Sequence, residues 1–378
     1  LSIRRQRQMC IRDRDYIEEA LAAYELGAPV VGSVRFGEGH INDTFCVHTQ
    51  PPDGACRRFI LQRISAAAFG NPEQLMRNVV GVTDYLKKVI AWEGGDPDRE
   101  TLTILRTRTG TCYFTDRAGG AWRCTPFIEH TVCLQAAETP ELFYASAKAF
   151  GRFQRLLKDY PADTLFETIE KFHDTENRLR NFRKALEADK LGRAAGVRDE
   201  VEFVLRRSAD CSVALEAQRA GKLPLRVTHN DTKLNNVLMD EKTGEGICVI
   251  DLDTVMPGLA INDFGDSIRF GANHSAEDER DLSKVNFDLG LFEVYTKGFL
   301  EGCGGILTPA ELEYLPWGAK LMTLECGIRF LTDYLEGDHY FAVHRAGQNL
   351  DRCRTQFKLV SDMERCWDDM AAAVRKYA

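Results

Sequence analysis

The residues most able to do chemistry lie in one short polar stretch near the middle of the chain. It contains His229, Asp231, Lys233 and Asn236 and leads directly into an apolar strand pattern. A second apolar strand pattern follows a polar turn and ends at Asp251. Two such patterns around a short turn predict a hairpin, which returns its second strand beside its first. We therefore expect Asp231, Asn236 and Asp251 to converge on one point.

That combination of side chains suits phosphoryl transfer. Asn236 and Asp251 offer the oxygen ligands that Mg²⁺ prefers. Asp231 can accept a proton from an attacking hydroxyl group, and Lys233 can supply positive charge to the moving phosphoryl group. Asp and Asn also favour turns, so an ordinary turn is the alternative interpretation. The joint spacing of the three residues favours the chemical interpretation.

Apolar periodicity and turn residues predict an α+β chain in two parts. In the first part, strands are expected over 30–36, 45–49, 58–64, 102–106, 112–116 and 122–127, with helices over 15–27 and after the capping residue Asn71. Beyond about residue 131, helical patterns dominate. They cover 139–158, 174–189, 198–220, 286–301 and 309–336, and only 227–255 is β-like. We therefore expect an N-terminal domain over 15–128 and a C-terminal domain over 129–378.

Charge and composition exclude several classes of protein. The 378-residue chain has a formal net charge of −8, although residues 1–14 are rich in Arg. Residues 5–14 resemble translated sequencing-adapter sequence, so we interpret 1–14 as a non-native leader. An acidic body without a basic stripe argues against nucleic acid as a partner. No apolar run is long enough for a membrane span, so no membrane partner is expected.

The twelve Cys are scattered and include no C-x-x-C pair. This pattern argues against a disulfide scaffold and against zinc. We expect a reduced, cytoplasmic compartment and a monomer or weak homodimer.

The polar stretch resembles the catalytic loop of protein-kinase-like enzymes. His229-x-Asp231-x-x-x-x-Asn236 has the spacing of that loop, and Asp251 falls where those enzymes have their metal-binding Asp. The ending Ile250-Asp251-x-Asp253 resembles the aminoglycoside phosphotransferase branch. Further segments resemble N-acetylhexosamine 1-kinases, namely 39–42, 61–64, 250–258, 263–269, 327–335 and 349–352.

The resemblance implies a two-lobed protein-kinase-like fold, with a small antiparallel-sheet lobe before a larger, mostly helical lobe. It implies ATP as co-substrate and transfer of its γ-phosphoryl group to the C1 hydroxyl of an N-acetylhexosamine, GlcNAc or GalNAc. Asp231 would be the base at the acceptor hydroxyl, and His229 would steady its loop. Asn236 and Asp251 would hold Mg²⁺. Asp253 is either support for the metal or a solvated strand end.

The resemblance also implies three groups of nucleotide contacts. The turn after the first strand would cover the phosphates with backbone N–H groups; it includes Gly37, Gly39, His40, Asn42 and Thr44, of which His40 could touch the sugar instead. A basic residue is usual on the third strand, where spacing favours Gln62 and charge favours Arg63. The segment from Phe127 through Ile128 and Glu129 to His130 would present backbone groups to adenine.

Three further interpretations concern the C-terminal part. Arg329, Asp333 and Tyr334 share a helical pattern and either reach the acceptor sugar or include a solvent-facing Arg–Asp pair. The string 263–265 spells the metal motif of protein kinases, but it does not follow an apolar strand, so we expect a structural role for Asp263. His173 and Asp174 are expected to cap the following helix.

Two rival functions remain open. The acceptor could be an aminoglycoside, homoserine, choline or another sugar, and an acidic body would suit a cationic acceptor. The uncertain third-strand cation leaves a nucleotide-binding protein without turnover as the other rival.

Overall fold

The computed structural model describes residues 15–37, 41–52 and 54–378. These residues divide into two compact units. The first runs to Thr131 and includes Leu165–Ile169, and the second comprises Val132–Thr164 and Glu170–Ala378. The expected leader, Gly39 and His40 lie outside the described residues.

An antiparallel sheet forms the centre of the first unit. Its strands are β1 (Val30–Arg35), β2 (Asp43–Thr49), β3 (Arg57–Arg63), β4 (Phe114–Thr115) and β5 (Ala121–Pro126), in the order β1-β2-β3-β5-β4. Residues 15–22 form helix α1, and Pro72–Trp92 form α2. Asn71 caps α2 as expected, because its side chain accepts a hydrogen bond from the Gln74 backbone N–H.

One face of this sheet is covered by α1 and the segment after it. Alternate residues of a strand point to opposite faces, so the apolar residues Val47, Phe59, Leu61 and Cys124 share one face. They form a buried cluster with Ile17, Ala20, Tyr24, Leu26 and Trp122. The polar residues one step along each strand belong to the other face.

Two local expectations in this unit are wrong. Residues 102–106 form no regular strand: Leu105 donates one hydrogen bond to the Cys124 carbonyl, and Thr107 makes only an isolated bridge with Tyr24. The helix expected over 15–27 ends at residue 22, because Tyr24 leaves the helix to make that bridge.

The second unit is mostly helical. Its helices are α3 (Pro140–Leu156), α4 (Thr175–Ala188), α5 (Arg198–Arg206), α6 (Val213–Arg219), α7 (Ala260–Gly271), α8 (Leu289–Cys303), α9 (Pro309–Glu336), α10 (Gln348–Arg365) and α11 (Trp367–Tyr377). Two small sheets accompany them. One has the order β6-β8-β9, from Thr131–Cys133, Val237–Asp240 and Gly246–Val249. The other pairs β7 (Arg226–Thr228) with β10 (Met256–Gly258).

The α+β class, the antiparallel sheet and the mostly helical C-terminal region are thus confirmed. The single helix expected over 198–220 is instead α5, a 3₁₀ turn at Asp210–Ser212 and α6. The break lets Cys211 reach the buried cluster around α9. In the described part of the chain, no helix is long and apolar enough to cross a membrane, and the cysteines are free thiols.

Candidate active site

The loop from His229 to Asn236 is anchored by helix α7. Asp263, in the first turn of α7, accepts hydrogen bonds from the backbone N–H groups of His229, at 2.9 Å, and Asn230, at 2.7 Å. Asp266, one turn later, accepts from the Thr232 N–H at 3.1 Å. Two buried carboxylates thereby fix the loop backbone on both sides of Asp231. The expected structural role for Asp263 agrees with this geometry.

His229 links the two parts of the predicted constellation. Its Nε2 lies 2.8 Å from the Ile250 carbonyl oxygen, and its Nδ1 lies 3.2 Å from the Asp231 backbone nitrogen. A carbonyl requires a donor and an N–H requires an acceptor, so the ring carries its proton on Nε2 and is neutral. The side chain is fully buried. His229 therefore positions Asp231 relative to the strand end and lies away from solvent.

The predicted hairpin brings Asn236 beside the residue that precedes Asp251. Val237 in β8 pairs with Val249 in β9, and the Ile250 N–H donates to the Asn236 carbonyl at 2.9 Å. The Asn236 Nδ2 donates to the Asp231 carbonyl oxygen at 2.7 Å and contacts Asp231 Oδ2 at 3.2 Å. The hairpin thus brings Asn236, and with it Asp231, to the strand end that precedes Asp251.

Lys233 forms an ion pair with the candidate base. Its Nζ lies 2.7 Å from Asp231 Oδ1. Burial disfavours the ammonium, but the charges of Asp231 and Asp266 outweigh it and raise the pKa of Lys233. The side chain therefore stays protonated at neutral pH. Its position gives the loop one permanent positive charge beside Asp231.

Asn236 and Asp251 offer oxygen donors of the kind that fit a Mg²⁺ ion. Asp251 is half-buried and adopts a left-handed backbone conformation, with φ of 57°. The Asn236 amide nitrogen is used by Asp231, so its amide oxygen is the atom available to a cation. Mg²⁺ is usually held by one or two protein ligands together with substrate phosphates. In the described ranges no cluster of three or more His, Cys, Asp or Glu side chains is placed to hold a metal.

Asp253 lies in the 3₁₀ turn Leu252–Thr254, directly after Asp251. It is 3% exposed, so the solvated strand end considered from the sequence is wrong. A role in supporting Asp251 stays a prediction.

Of the residues expected at the nucleotide, several are held by hydrogen bonds within the first unit. Gly37 has φ of 77°, a conformation that favours glycine in a tight turn. The Asn42 Oδ1 accepts from the Ser65 backbone N–H at 2.9 Å, and Thr44 Oγ1 accepts from Gln62 Nε2 at 3.1 Å. These bonds tie the end of the turn to β3.

The segment expected at adenine is also ordered by its neighbours. Arg58 forms a two-pronged ion pair with Glu129, and its guanidinium carbon lies 3.8 Å from the centre of the Phe127 ring. The carbonyl oxygens of Ile128 and Glu129 accept hydrogen bonds from Thr131 and Arg99. Each carbonyl retains a second lone pair for a ligand.

The three residues expected at the acceptor have different surroundings. Asp333 is buried, and its carboxylate accepts from the backbone N–H groups of His339, Tyr340 and Phe341 and from Asn349. It therefore organises the loop after α9. Arg329 Nη2 lies 3.3 Å from the Tyr340 hydroxyl group. Tyr334 packs under Arg193, whose guanidinium carbon lies 4.6 Å from its ring centre. The Arg329–Asp333 pair considered from the sequence is absent from the ion pairs of the described residues.

Sequence reasoning missed a buried charge cluster beside the loop. His173 lies 3.0 Å from the Asn230 carbonyl oxygen through Nε2 and 3.3 Å from Glu325 through Nδ1. Both partners are acceptors, so the ring is an imidazolium. Asp174 alone caps α4, through the Asn177 N–H, and the expected capping role of His173 is wrong. Only the tertiary structure brings Glu325 to His173, so the local sequence carried no signal.

Two arginines extend this cluster. Arg178 Nε lies 3.9 Å from Glu325, and Arg329 is one helical turn beyond Glu325 in α9. Burial and the neighbouring Arg329 guanidinium lower the pKa of Arg178. Arg178 and Arg329 thereby place two guanidinium groups near the buried Glu325, which contacts His173 beside the loop.

A pocket of about 390 Å³ adjoins the loop through Thr232 and Leu234. Arg269 and Gln356 also line it, and the buried Gln356 Oε1 has no hydrogen-bond partner in the described structure. Asp231 does not line this pocket, so it is a separate space beside the loop.

The fold is that of a protein-kinase-like phosphotransferase. The model of the phosphotransferase enzyme family matches residues 33–284, which is more than half of the chain. The chain belongs to that family, and it is a small-molecule phosphotransferase.

Solved structures share the fold at low identity. An aminoglycoside phosphotransferase from Alicyclobacillus acidocaldarius is 15% identical, with a TM-score of 0.58 over 95% of each chain. A choline/ethanolamine kinase family protein from Mesorhizobium loti is 19% identical, with a TM-score of 0.56 over 96% of this chain and 99% of that one. Amicoumacin kinase, solved in complex with AMP-PNP, Ca²⁺ and Ami, is 15% identical, with a TM-score of 0.55 over 95% of this chain and 96% of that one. Such identities establish the fold and leave the acceptor open.

Proposed function

We propose that this protein transfers the γ-phosphoryl group of ATP to the C1 hydroxyl of an N-acetylhexosamine. The observation that carries the proposal is the convergence of Asp231 and Asn236 with the strand end that bears Asp251. Family membership supports the phosphotransferase class, and the sequence resemblance supports the sugar. The proposed domain roles are nucleotide binding for 15–128 and catalysis with acceptor binding for 129–378.

In the proposed mechanism Asp231 accepts the proton of the anomeric hydroxyl group while the hydroxyl oxygen attacks the γ-phosphorus. The bond from that phosphorus to the bridging oxygen breaks, and ADP leaves. Lys233 holds the Asp231 carboxylate in position and offsets negative charge on the transferring group. Asn236 and Asp251 would hold Mg²⁺, with Asp253 in support; when bound, the ion neutralises charge on the phosphate oxygens. His229 fixes the loop that carries Asp231.

The nucleotide would lie against the turn that contains Gly37, Gly39, His40, Asn42 and Thr44. Its adenine would contact backbone groups of the segment from Phe127 through Ile128 to Glu129. Gln62 and Arg63 occupy opposite faces of β3, so only one of them belongs to this site. A reduced, cytoplasmic setting and a monomer or weak homodimer remain our expectations.

Two arginines near the loop support an uncharged acceptor. Arg178 and Arg329 lie beside the catalytic loop through the contacts of Glu325 and His173. A polycationic aminoglycoside would be repelled by two guanidinium groups, whereas sugar hydroxyl and amide groups can accept their hydrogen bonds. We retain Arg329 as a direct acceptor contact, and assign Asp333 and Tyr334 to shaping its surroundings.

The test is an acceptor panel with a readout of the phosphorylated position. GlcNAc, GalNAc, a second sugar, homoserine, choline and an aminoglycoside are each incubated with ATP and Mg²⁺, and ADP release is measured. We expect turnover with GlcNAc or GalNAc and loss of the reducing end, because a C1 phosphate blocks the anomeric carbon. Turnover with an aminoglycoside alone, or a product that stays reducing, would reject the proposal.

Paired variants locate the acceptor. Arg329→Gln should raise the acceptor KM about tenfold or more by removing a charged hydrogen bond, with little change in the ATP KM. Gln356→Leu, in the neighbouring pocket, should leave the acceptor KM unchanged. A raised acceptor KM in Gln356→Leu, with an unchanged value in Arg329→Gln, would show that the acceptor binds in that pocket.

A further inference from the structure

At the level of Gln62 the third strand presents no positive charge on the sheet face away from α1, and Arg58, further along that face, is paired with Glu129. Arg63 lies on the α1 face: its Nη2 is 3.7 Å from Asp116 Oδ2, and its guanidinium carbon is 5.7 Å from the Trp122 ring centre and 5.6 Å from that of Tyr16. Gln62 therefore points to the opposite face. A triphosphate on that face would meet a neutral amide from β3.

The neighbouring strand supplies a cation at that level. Arg123 in β5 pairs in register with Gln62, which in turn pairs with Thr44 in β2. Arg123 Nε donates to Gln62 Oε1 at 2.9 Å, and Gln62 Nε2 donates to Thr44 Oγ1 at 3.1 Å. The three side chains form one hydrogen-bonded row across three strands. Gln62 thus holds the Arg123 guanidinium in place and does not itself supply a charge.

We propose that Arg123 provides the phosphate-binding charge that a basic residue on β3 would otherwise supply. This inference rests on the proposed kinase function. Arg123 is only 4% exposed, and a guanidinium remains charged even when buried. Its planar fork matches two phosphate oxygens. Thr44, at the other end of the row, lies at the end of the turn expected to cover the phosphates, so the row joins the turn to the cation.

Arg123→Met tests the assignment by ATP binding, which needs no acceptor. We expect the Kd for AMP-PNP, measured by calorimetry, to rise about tenfold to a hundredfold, as expected for loss of a charged hydrogen bond. The acceptor KM should change little. Arg117→Met, at an exposed arginine of the same unit, is the matched control and should bind like wild type. Unchanged affinity in Arg123→Met, or loss of affinity in Arg63→Met alone, would overturn the proposal.

A rescue variant separates charge from folding. Gln62→Lys added to Arg123→Met returns a cation to the same face, one strand away. Recovery of most of the lost affinity supports the proposal, and a folded double variant without recovery counts against it. Wild-type protein that binds no AMP-PNP would instead reject the kinase function itself, so the two failures are distinguishable.

Discussion

At the candidate base, Asp231 is held by two donors with different roles. Lys233 contacts Oδ1 at 2.7 Å, and Asn236 contacts Oδ2 at 3.2 Å. Both donors hold the carboxylate oxygens, one of which is the proton acceptor in the proposed reaction. Asn236 also reaches toward the strand end at Asp251, whereas Lys233 adds a permanent charge. The Asn236 contact therefore orients the Asp231 carboxylate, and the Lys233 contact supplies a charge beside it.

Lys233→Met should lower kcat about a hundredfold or more, because an oriented charge near the transferring group contributes mainly in the transition state. The ATP KM should change much less. Steady-state kinetics with the active acceptor measure both values. Lys242→Met, in the exposed hairpin turn, is the control. Equal kcat values for the two variants would exclude Lys233 from the chemistry.

His173 should make stability depend on pH near neutrality. Burial acts against the imidazolium, but Glu325 raises the pKa of His173 above its usual value of 6.5. The folded protein then keeps a proton that the unfolded chain has lost, so the free energy of unfolding should fall as pH rises through the raised pKa. Urea unfolding of wild type between about pH 6 and pH 9 measures the slope.

His173→Gln should flatten that slope, whereas His344→Gln, at an exposed histidine, should preserve it. An identical slope in His173→Gln would show that the residue is not an imidazolium in the folded protein.

At the scale of elements, helix α7 determines the shape of the catalytic loop. Asp263 accepts hydrogen bonds from two backbone N–H groups of the loop. It also accepts one from Gln154 Nε2, at a distance of 2.6 Å. Asp263→Ala leaves these buried donors unpaired and should lower the free energy of unfolding by about 3–5 kcal/mol. The variant should also lose most of the activity. Asp263→Asn keeps only one acceptor oxygen, so its stability and activity should lie between those of wild type and Asp263→Ala. Denaturant unfolding and kinetics check both, and a stable, active Asp263→Ala protein would contradict the anchoring role.

Elements with a clear period or cap could be predicted from the sequence. Helix α9 was predicted over 309–336 and forms over those residues, where Thr308 and Glu311 make a reciprocal capping box. The hairpin that unites Asn236 with the strand end before Asp251 was also predicted, because strand pairing follows from a short polar turn. Local sequence patterns are sufficient for such elements.

Elements defined by tertiary contacts could not be predicted. Helix α7 is buried on nearly all sides, and its carboxylates Asp263 and Asp266 find their partners on the loop only in the folded chain. Asp333 looked available for a ligand, but the loop after α9 uses both of its carboxylate oxygens. Arg123 could not be predicted as a site residue, because only strand pairing in the folded sheet places it beside Gln62.

At the scale of the whole molecule, the chain distributes its chemistry over two compact units. The described part of the first unit carries the expected nucleotide contacts and the Arg123 row. The second unit carries Asp231, the proposed metal ligands Asn236 and Asp251, and the arginines near Glu325. Two rival functions differ from our account at this scale. A different acceptor would change only the role proposed for the second unit, whereas a nucleotide-binding protein without turnover would transfer no phosphoryl group.

The most direct test of the central claim compares wild type with Asp231→Asn for both transfer and nucleotide binding. Asp98→Asn, at an exposed carboxylate, is the control. We predict that Asp231→Asn lowers kcat about a thousandfold or more, while the Kd for AMP-PNP stays within about threefold of wild type, because the base acts in the transition state. Transfer by Asp231→Asn at a rate close to wild type, or no transfer by wild type with any acceptor, would contradict the account.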